Sequence, residues 1–364
     1  MTTPRFMPPP RVARAAEAAH ARLRRSLLQA LPPPLSVLSL ADGWLLSQAV
    51  CTAARLGIAD ALAGGPRPAA EIAERIGADP DATYRLLRML AGHGVFHELR
   101  DRRFELNAVA DPLRTDSPQS VRPLLAATAH PVMWATGGQL LRSVQTGRSG
   151  HELAHGTTGF EHLAADPELA AAFHDAMRVT SQLAAGPLLA AVDYSRYGTI
   201  ADIGGGSGYL LAAILAAAPR SRGVLYDLAP ATADAPGVLR AAGVAERCTI
   251  ENGSFFDSVP AGADVYVLKN IIHDWPDDTA LTVLRAVRAA IVPGGRLHLV
   301  ECLIPEQRNT THLSLWLDLH VLLTIGGRER TAAEYRALLE TAGFGTPRIT
   351  ATAAPLSIIE AVPV

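Results

Sequence analysis

A glycine-rich turn between a short apolar run and a long apolar segment constrains the fold of this chain more than any other feature. The segment reads Ala201-Asp202-Ile203-Gly204-Gly205-Gly206-Ser207-Gly208, and apolar residues then continue to Ala218. Glycines adopt positive φ angles and let a ligand approach the backbone closely, so the pattern predicts a strand that ends in a ligand-binding turn. The dinucleotide fingerprint G-x-G-x-x-G, started at Gly204, needs a glycine where Tyr209 stands, so this turn does not match it.

Short β-type runs alternate with helical segments from about Ala185 onward. The predicted strands are Thr199 to Ile203, Gly223 to Tyr226, Cys248 to Glu251, Asp264 to Leu268 and Arg296 to Glu301. Predicted helices, for example Gly208 to Ala218 and Asp278 to Ile291, lie between most of them. Such alternation is typical of a doubly wound parallel sheet, which binds ligands at the carboxyl ends of its strands.

The front half of the chain has helical periodicity, with apolar residues three and four positions apart. The predicted helices are Arg11 to Leu31, Ala41 to Leu56, Ala69 to Ile76 and a fourth that Asp79-Pro80-Asp81 opens and that runs to His93. A short β-hairpin is predicted after them, with one strand from Val95 to Glu98 and the other from Arg103 to Leu106. Two helices followed by a small β-wing form a winged-helix pattern. We therefore predict two domains, residues 1–184 and residues 185–364.

The charge balance argues against a winged-helix DNA-binding protein, which is the non-enzymatic alternative. The whole chain has 33 basic and 35 acidic residues, a net charge of −2. Between Ala69 and Asn107 there are six arginines and seven acids, 6 − 7 = −1, whereas a phosphate-binding surface needs net positive charge. No nucleic-acid partner is expected.

Neither a membrane span nor export is expected. The apolar run from Tyr209 to Ala218 is much shorter than the roughly 20 residues that cross a bilayer. Arg24-Arg25 precedes a leucine-rich stretch, as in a twin-arginine signal, but three prolines from Pro32 to Pro34 interrupt it. The three cysteines are far apart, which fits a reducing compartment. A soluble, cytoplasmic protein without a membrane partner is predicted.

An acidic residue follows the glycine turn at the spacing expected for a ribose contact. Asp227, in Tyr226-Asp227-Leu228, ends the next predicted strand, 227 − 208 = 19 residues after Gly208. A carboxylate at this place can accept hydrogen bonds from both ribose hydroxyls. The turn and the carboxylate together indicate a cofactor that contains adenosine.

These residues resemble the S-adenosylmethionine-dependent O-methyltransferases of the plant caffeic-acid and hydroxyindole type, in their bacterial natural-product branch. The resemblance rests on the glycine turn, Tyr226-Asp227-Leu228, Leu268-Lys269-Asn270-Ile271-Ile272-His273-Asp274-Trp275, Gly326-Gly327-Arg328-Glu329-Arg330-Thr331 and, more weakly, Val300-Glu301-Cys302. It extends from about Leu38 to the end. It implies a Rossmann-like doubly wound methyltransferase sheet, an N-terminal winged-helix-like dimerisation domain, a homodimer and the cofactor S-adenosyl-L-methionine.

The resemblance also implies roles in cofactor binding. Gly204 would lie against the amino-acid portion of the cofactor, Asp227 with Leu228 beside it would hold the ribose, and Phe255 would pack on the adenine. Lys269, the only lysine of the chain, would help to fix the cofactor. Ser254 stands where the family usually has an aspartate that accepts from the adenine amino group, so weaker adenine binding is expected.

His273 is predicted to be the general base of methyl transfer. A phenol with a pKa near 10 is mostly protonated at pH 7, and a histidine at the end of a strand can remove that proton. Glu301, at the end of the neighbouring strand, would orient the imidazole, and the resemblance implies that Glu329 flanks it. Without those surrounding motifs, His273 is interpreted more simply as a loop histidine beside Asp274. A reaction that keeps the cofactor without methylating is the enzymatic alternative.

An apolar pocket for a small aromatic hydroxyl-bearing acceptor is expected, with few polar groups. Candidates for its wall are Met133, Trp134, Phe160, Phe173, Met177, Trp316 and Leu323. Of these, Trp134, Phe160 and Met177 are predicted to bind substrate, together with Asn270 as a polar contact next to the base.

A zinc-site motif, H-E-x-x-H, occurs from His151 to His155, with Gly159 and His162 after it. The motif requires a helix that puts both histidines on one face, and glycines at 150 and 156 leave barely one turn. The extended spacing of metzincins would need a glycine at 158 and a histidine at 161, so it fails by one position. No metal is predicted.

Overall fold

In a computed structural model, which describes residues 8–364, the chain divides into two compact units that alternate along the sequence. The first unit contains residues 8–24, 136–162 and 180–364. The second contains residues 25–135 and 163–179. The predicted division into residues 1–184 and 185–364 stays a prediction. The first seven residues of the predicted front domain lie outside the described part of the chain.

The helices and strands have the following bounds. The α-helices are α1 Pro10–Gln29, α2 Pro33–Ala41, α3 Gly43–Leu56, α4 Ile58–Ala61, α5 Ala69–Ile76, α6 Pro80–Gly92, α7 Arg122–Thr128, α8 Pro131–Gly137, α9 Leu140–Thr146, α10 Gly150–His155, α11 Gly159–Ala165, α12 Pro167–Ala191, α13 Tyr209–Ala217, α14 Ala235–Ala241, α15 Asp277–Ala290, α16 Leu313–Thr324 and α17 Ala332–Thr341. The strands are β1 Arg67–Pro68, β2 His97–Glu98, β3 Arg103–Glu105, β4 Thr199–Ile203, β5 Arg222–Asp227, β6 Cys248–Asn252, β7 Val265–Lys269, β8 Arg296–Glu301, β9 Arg348–Ala351 and β10 Ser357–Ala361. Short 3₁₀ turns cover Arg100–Arg102, Asp111–Leu113, Tyr194–Arg196, Ala245–Arg247 and Ile272–Asp274.

The first unit is built on a seven-stranded sheet with the order β6-β5-β4-β7-β8-β10-β9. The five strands from β4 to β8 are parallel to one another, as the sequence predicts. β10 is antiparallel to both of its neighbours, β8 on one side and β9 on the other. The predicted parallel sheet is therefore confirmed as the larger part of a mixed one.

Alternate residues of the central strands enter two separate apolar cores, one on each face of the sheet. On β4, Ala201 and Ile203 belong to one core and Ile200 to the other. On β7, Tyr266 and Leu268 face the first core, whereas Val265 and Val267 face the second. This two-residue period, with both faces covered, is what a doubly wound sheet requires.

The second unit contains the predicted winged-helix pattern. Gly57, in the left-handed conformation, ends α3, and the carboxylate of Asp79 accepts from the backbone N–H of Ala82 at 2.8 Å to begin α6. The wing is a three-stranded sheet of order β1-β3-β2, with one strand, β1, more than the sequence predicts. Its core includes the fully buried Leu87, Leu90 and Phe104.

One apolar segment of the described residues, Pro33–Leu56, is longer than the run from Tyr209 to Ala218 on which the membrane expectation was based. These 24 residues pass the criteria of length and composition. They form two helices, α2 and α3, that meet at Asp42, and most of their surface is exposed within this single chain. Mostly exposed apolar helices near the N-terminus are weak grounds for a span, and they equally suit a surface that another polypeptide covers.

Candidate active site

The candidate site lies at the point of the sheet where the order of the strands reverses. Along the chain, β5 and β6 are added on one side of β4, and β7 and β8 on the other. The carboxyl ends of β4 and β7 therefore open a crevice at this switch point, which is where open α/β sheets bind their ligands. The glycine turn follows β4, and the segment that contains His273 follows β7.

The glycine turn is shaped by residues that cannot carry a side chain. Gly204, Gly206 and Gly208 all have positive φ angles, between 55° and 74°. A Cβ atom on Gly204 would lie 2.4 Å from the side chain of Ile271. The turn thus presents bare backbone at the start of α13, as a ligand that contacts the main chain requires.

Asp227 ends β5 and faces this turn. Its carboxylate accepts from the backbone N–H of Gly206 at 2.8 Å and from that of Leu228 at 2.7 Å. Each carboxylate oxygen has a second lone pair, so the group can also accept from ribose hydroxyls. The side chain of Leu228 is exposed.

The segment predicted to contact adenine follows β6. Phe255 packs edge-to-face on Phe256 with ring centroids 4.8 Å apart, and its ring also approaches Gly204. The hydroxyl of Ser254 accepts from the backbone N–H of Phe256 at 3.2 Å, so it takes part in its own turn. Phe255 therefore lies beside the glycine turn, and its contact with adenine stays a prediction, whereas the hydroxyl of Ser254 is already engaged locally.

Lys269, the last residue of β7, stands among carboxylates. Burial lowers its pKa, and the negative charges of Asp202, Glu301 and Asp274 oppose that effect. Burial in turn raises the pKa of Asp202 to about 7, against the attraction of Lys269. The single lysine thus interacts electrostatically with Asp202, which precedes the glycine turn, and with two of the carboxylates around His273.

His273 is buried in a 3₁₀ turn just after β7, with a carboxylate at each ring nitrogen. Its Nδ1 lies 2.8 Å from Oε1 of Glu329 and 3.8 Å from Oε2 of Glu301. Its Nε2 lies 3.2 Å from Oδ1 of Asp274. Glu301 also accepts from the backbone N–H of Ile272 at 3.0 Å. Glu329 is therefore the main partner of the imidazole, and Glu301 fixes the turn that carries it.

These carboxylates favour the protonated imidazole. Burial alone would lower the pKa of His273, but the charges of Asp274 and Glu301, with the hydrogen bonds of Asp274 and Glu329, raise it well above 6.5. Burial raises the pKa of Glu301 to about 7, and the charge of His273 opposes that rise. Ligand atoms of His273, Glu301 and Glu329 lie within 4.8 Å of one another, so the group also has the dimensions of a cation site.

A second loop, from Gly326 to Thr331, holds the His273 turn in place. The carbonyl of His273 accepts from the N–H of Arg328 at 2.8 Å, and a Cβ on Gly327 would lie 2.2 Å from that carbonyl oxygen. The buried guanidinium of Arg330 donates to the carbonyl of Ile272 at 2.9 Å and to Asp277 at 2.7 Å. Sequence reasoning assigned no role to Gly327, Arg330 or Asp277. Gly327 and Arg330 stand in a motif that carries the resemblance, whereas Asp277 stands outside those motifs.

Asn270 is held in a strained conformation between β7 and His273. Its φ angle is 54°, in the left-handed region that a residue with a Cβ rarely adopts. Its side-chain Oδ1 is buried and has no hydrogen-bond partner within the described residues. A strained residue with an unsatisfied polar atom in a ligand crevice is typical of a functional position.

The predicted wall residues fall in both compact units. Phe160, on α11, stacks on Trp275 with ring centroids 5.3 Å apart, and Trp275 follows directly on the His273 turn. Trp134 and Met177 belong to the second unit. Phe160 is thus next to the candidate site, and the assignment of Trp134 and Met177 stays a prediction.

Known proteins are similar to this chain over nearly its whole length. Residues 138–345 match the O-methyltransferase domain family, and residues 38–116 match the O-methyltransferase dimerisation domain family. A phenazine O-methyltransferase of Lysobacter antibioticus is 38% identical over 92% of this chain and 98% of its own length. An 8-amino-8-demethylriboflavin N,N-dimethyltransferase of Streptomyces davaonensis is 37% identical over 80% of this chain and 84% of its own.

A solved structure agrees with the fold. An O-methyltransferase from neocarzinostatin biosynthesis, in complex with S-adenosylmethionine and 2-hydroxy-5-methyl naphthoic acid, superimposes with a TM-score of 0.76. It is 32% identical and covers 88% of this chain and 96% of its own. The glycine turn, the strand-end carboxylate and the His273 turn therefore lie in a chain that belongs to the O-methyltransferase family, with the dimerisation domain of that family in its front half.

Proposed function

We propose that this enzyme transfers a methyl group from S-adenosylmethionine to a phenolic or enolic hydroxyl of a small aromatic natural product, with His273 as the general base. The observation that carries the proposal is the contact of 2.8 Å between Nδ1 of His273 and the buried carboxylate of Glu329. This contact fixes the ring at the carboxyl end of β7, so that Nε2, which lies 3.2 Å from Asp274, is the nitrogen that takes the proton of the acceptor.

The glycine turn and its surroundings fit an adenosine-containing cofactor. The backbone of Gly204 is bare because a Cβ there would collide with Ile271, Asp227 stands at the end of β5, and the ring of Phe255 lies beside the turn. We propose that these residues hold the amino-acid portion, the ribose and the adenine respectively, and that Lys269 helps to fix the cofactor, with Leu228 and Ser254 beside it. S-adenosylmethionine, when bound, supplies an electrophilic methyl group on its sulfonium.

His273 has to lose its proton before it can act as a base. The pKa of His273 is raised well above 6.5 in the free enzyme, despite burial, by Asp274, Glu301 and Glu329. An acceptor hydroxyl that takes the place of Asp274 at Nε2 meets a base whose conjugate acid is stabilised by Glu329. We propose that Glu301 positions the base through the backbone of Ile272 and that no metal ion takes part in the chemical step.

The acceptor is proposed to be a planar aromatic compound. The relatives named above are a phenazine O-methyltransferase and an enzyme crystallised with a hydroxylated naphthoic acid. Phe160, Trp134 and Met177 supply apolar contact in the proposal, and the unsatisfied Oδ1 of Asn270 accepts one hydrogen bond from the acceptor. A role in secondary metabolite biosynthesis and a cytoplasmic location are proposed on the same grounds.

We further propose that residues 1–184 provide dimerisation and part of the acceptor pocket, whereas residues 185–364 bind the cofactor. The match of residues 38–116 to a dimerisation domain supports a homodimer. No nucleic-acid or membrane partner enters the proposal.

Removal of the imidazole tests the mechanism. General-base assistance is typically worth roughly 10²–10⁴ in rate, so His273→Ala is expected to lower kcat by about that factor. Affinity for S-adenosylhomocysteine, measured by calorimetry, should change little because the ring faces the acceptor. Asp227→Ala should instead weaken that affinity markedly. Activity is found by screening hydroxylated phenazines and naphthoates with labelled S-adenosylmethionine.

Three results would contradict the proposal. If His273→Ala methylates the acceptor at nearly the full rate, His273 is not the general base. A wild-type enzyme that binds the cofactor and converts an acceptor without releasing S-adenosylhomocysteine performs a different reaction. Selective labelling of aromatic amines, with hydroxyl acceptors left untouched, makes the enzyme an N-methyltransferase, like the riboflavin-analogue relative.

A further inference from the structure

Three histidines that take no part in the proposed reaction come together between α10 and α11. His151 and His155 share one face of α10, and His162 reaches them from α11. The ring centroids of His151 and His155 are 4.6 Å apart, and that of His162 lies 5.1 Å from each. Nε2 of His151 is 3.0 Å from Nδ1 of His162. Such a cluster of imidazoles is unusual because none of these contacts provides a negative charge.

The spacing test applied to the sequence fails to detect this cluster because it assumes one continuous helix. α10 has six residues and ends at Gly156, which has a φ angle of 75°. The chain then turns, and α11 starts at Gly159 and brings His162 back toward α10. The position of the third histidine is therefore set by a turn between two short helices.

We propose that His151, His155 and His162 bind a divalent transition-metal ion such as Zn²⁺. Imidazole nitrogens are preferred ligands of such ions and lie roughly 2.0–2.1 Å from zinc. Two nitrogens at that distance from one ion in near-tetrahedral geometry are about 3.3 Å apart, close to the observed 3.0 Å between His151 and His162.

Thr136 provides the outer partner that histidine ligands need. Its hydroxyl oxygen lies 3.3 Å from Nδ1 of His151 and 3.4 Å from Nε2 of His155. A histidine that binds a metal usually donates its other ring N–H to such an oxygen, which fixes the tautomer. The contact with His151 assigns its Nε2 as a ligand atom, beside Nδ1 of His162. A turn of the His155 ring about χ2, which gives up its contact with Thr136, supplies the third nitrogen.

The role we assign to this ion is structural. Glu152, which a zinc protease of this motif would use as its base, pairs with Arg148 at 3.6 Å. An ion between α10 and α11 would instead fix Gly159 and Phe160, the first residues of α11. A Cβ on Gly159 would lie 2.8 Å from the carbonyl oxygen of Thr324, and Phe160 stacks on Trp275.

Cobalt binding by the full-length chain without an affinity tag tests the proposal. After treatment with a chelator and its removal, Co²⁺ is added, and the visible absorption of the ion is followed. We expect one equivalent to bind and Zn²⁺ to displace it. His151→Gln/His162→Gln should lower the affinity for Co²⁺ by more than the roughly 10–100-fold that loss of an outer partner costs, and Thr136→Val should lower it within that range.

The catalytic group provides the control, because His273, Glu301 and Glu329 also have the dimensions of a cation site. His273→Gln should keep the full affinity for Co²⁺. Loss of binding in His273→Gln together with full binding in the double variant would overturn the proposal, as would the absence of saturable binding in the wild type. Circular dichroism and S-adenosylhomocysteine binding establish that the double variant is folded; if it is not, His162→Gln alone carries the same expectation.

Discussion

At the scale of single residues, the carboxylates around His273 should set the pH at which the proposed base works. His273 accepts a proton only when it is neutral, and its pKa in the free enzyme is raised well above 6.5 by Asp274, Glu301 and Glu329 in spite of burial. The value of kcat/KM should therefore rise with pH and level off only above that raised pKa. We expect the midpoint on the alkaline side of an ordinary histidine, measured as the pH dependence of kcat/KM.

The partner of the imidazole should control that midpoint. Glu329→Gln keeps an oxygen for Nδ1 but removes the charge, so the pKa of His273 should fall and the midpoint should move to lower pH, with a lower kcat on the plateau. Glu334→Gln is the matched control, because Glu334 is a carboxylate nearby that caps α17 through Thr331. Identical profiles for the two variants would show that Glu329 does not act on the base.

Asn270 offers a test of acceptor binding that is separate from the base. Asn270→Ala removes the unsatisfied Oδ1, so we expect KM for the acceptor to rise while the affinity for S-adenosylhomocysteine is kept. Alanine at φ 54° also costs roughly 1 kcal/mol of stability. Asn309→Ala controls for that strain, since Asn309 has a φ of 57° in an exposed loop before α16. Equal KM values for the acceptor in the two variants would show that Asn270 does not bind the acceptor.

At the scale of elements, the site depends on the close approach of two loops. Gly327→Ala places a Cβ against the backbone of His273 and Asp274, which cannot rotate away as a side chain can. We expect a loss of about 1–3 kcal/mol in the free energy of unfolding by urea, as for overpacked cores, and a lower kcat.

A glycine in open space provides the comparison. Gly237 lies in α14, and a Cβ there meets nothing within 4 Å. Gly237→Ala should therefore be neutral or raise the free energy of unfolding by roughly 0.5–1 kcal/mol, with kcat unchanged. If both variants behave alike, the contact between the loops does not determine the geometry of His273.

The elements that the sequence predicts are those with a strong local signal. β4 and β8 have the predicted bounds, because each is a run of buried residues that polar or glycine-containing segments delimit. β9 and β10 were not predicted, since two short strands that pair antiparallel at a sheet edge have little periodicity. α10 and α11, of six and seven residues, are likewise too short for a periodic signal, which is why the meeting of their histidines was missed.

Sequence reasoning identified the residues that meet at the candidate site better than it identified the contacts between them. His273, Glu301 and Glu329 meet as expected, but Glu329 is the close partner of the ring and Glu301 contacts the backbone of Ile272. Sequence reasoning cannot rank two carboxylates that reach one imidazole from different loops. Nor can it find the clamp of Arg330, whose partners are mostly main-chain carbonyls.

At the scale of the whole molecule, a band of exposed apolar side chains needs to be covered. Val37, Leu38, Leu40 and Trp44, on α2 and α3, are each 57–66% exposed in the single chain. Since part of this segment matches the dimerisation domain, we expect light scattering at micromolar concentration to report twice 38.4 kDa. Leu40→Arg/Trp44→Arg should shift the molecule toward the monomer, because a charge at the centre of an apolar interface is unfavourable.

An exposed leucine elsewhere controls for the added charge. Leu141, on α9, is 70% exposed and lies outside the matched dimerisation domain. Leu141→Arg should leave the mass unchanged. A wild-type monomer, or equal dissociation by both variants, would refute the assignment of this surface to a homodimer.

The use of arginine at every basic position except Lys269 has a practical consequence for chemical labelling. A reagent directed at primary amines can modify one side chain in this chain, besides the α-amino group. Burial lowers the pKa of that amine, so more of it is in the reactive, unprotonated form near neutral pH than in an ordinary lysine. If Lys269 helps to fix the cofactor as proposed, peptide mapping of a single modified lysine, with and without S-adenosylhomocysteine, becomes an occupancy assay for the cofactor crevice that requires no knowledge of the acceptor.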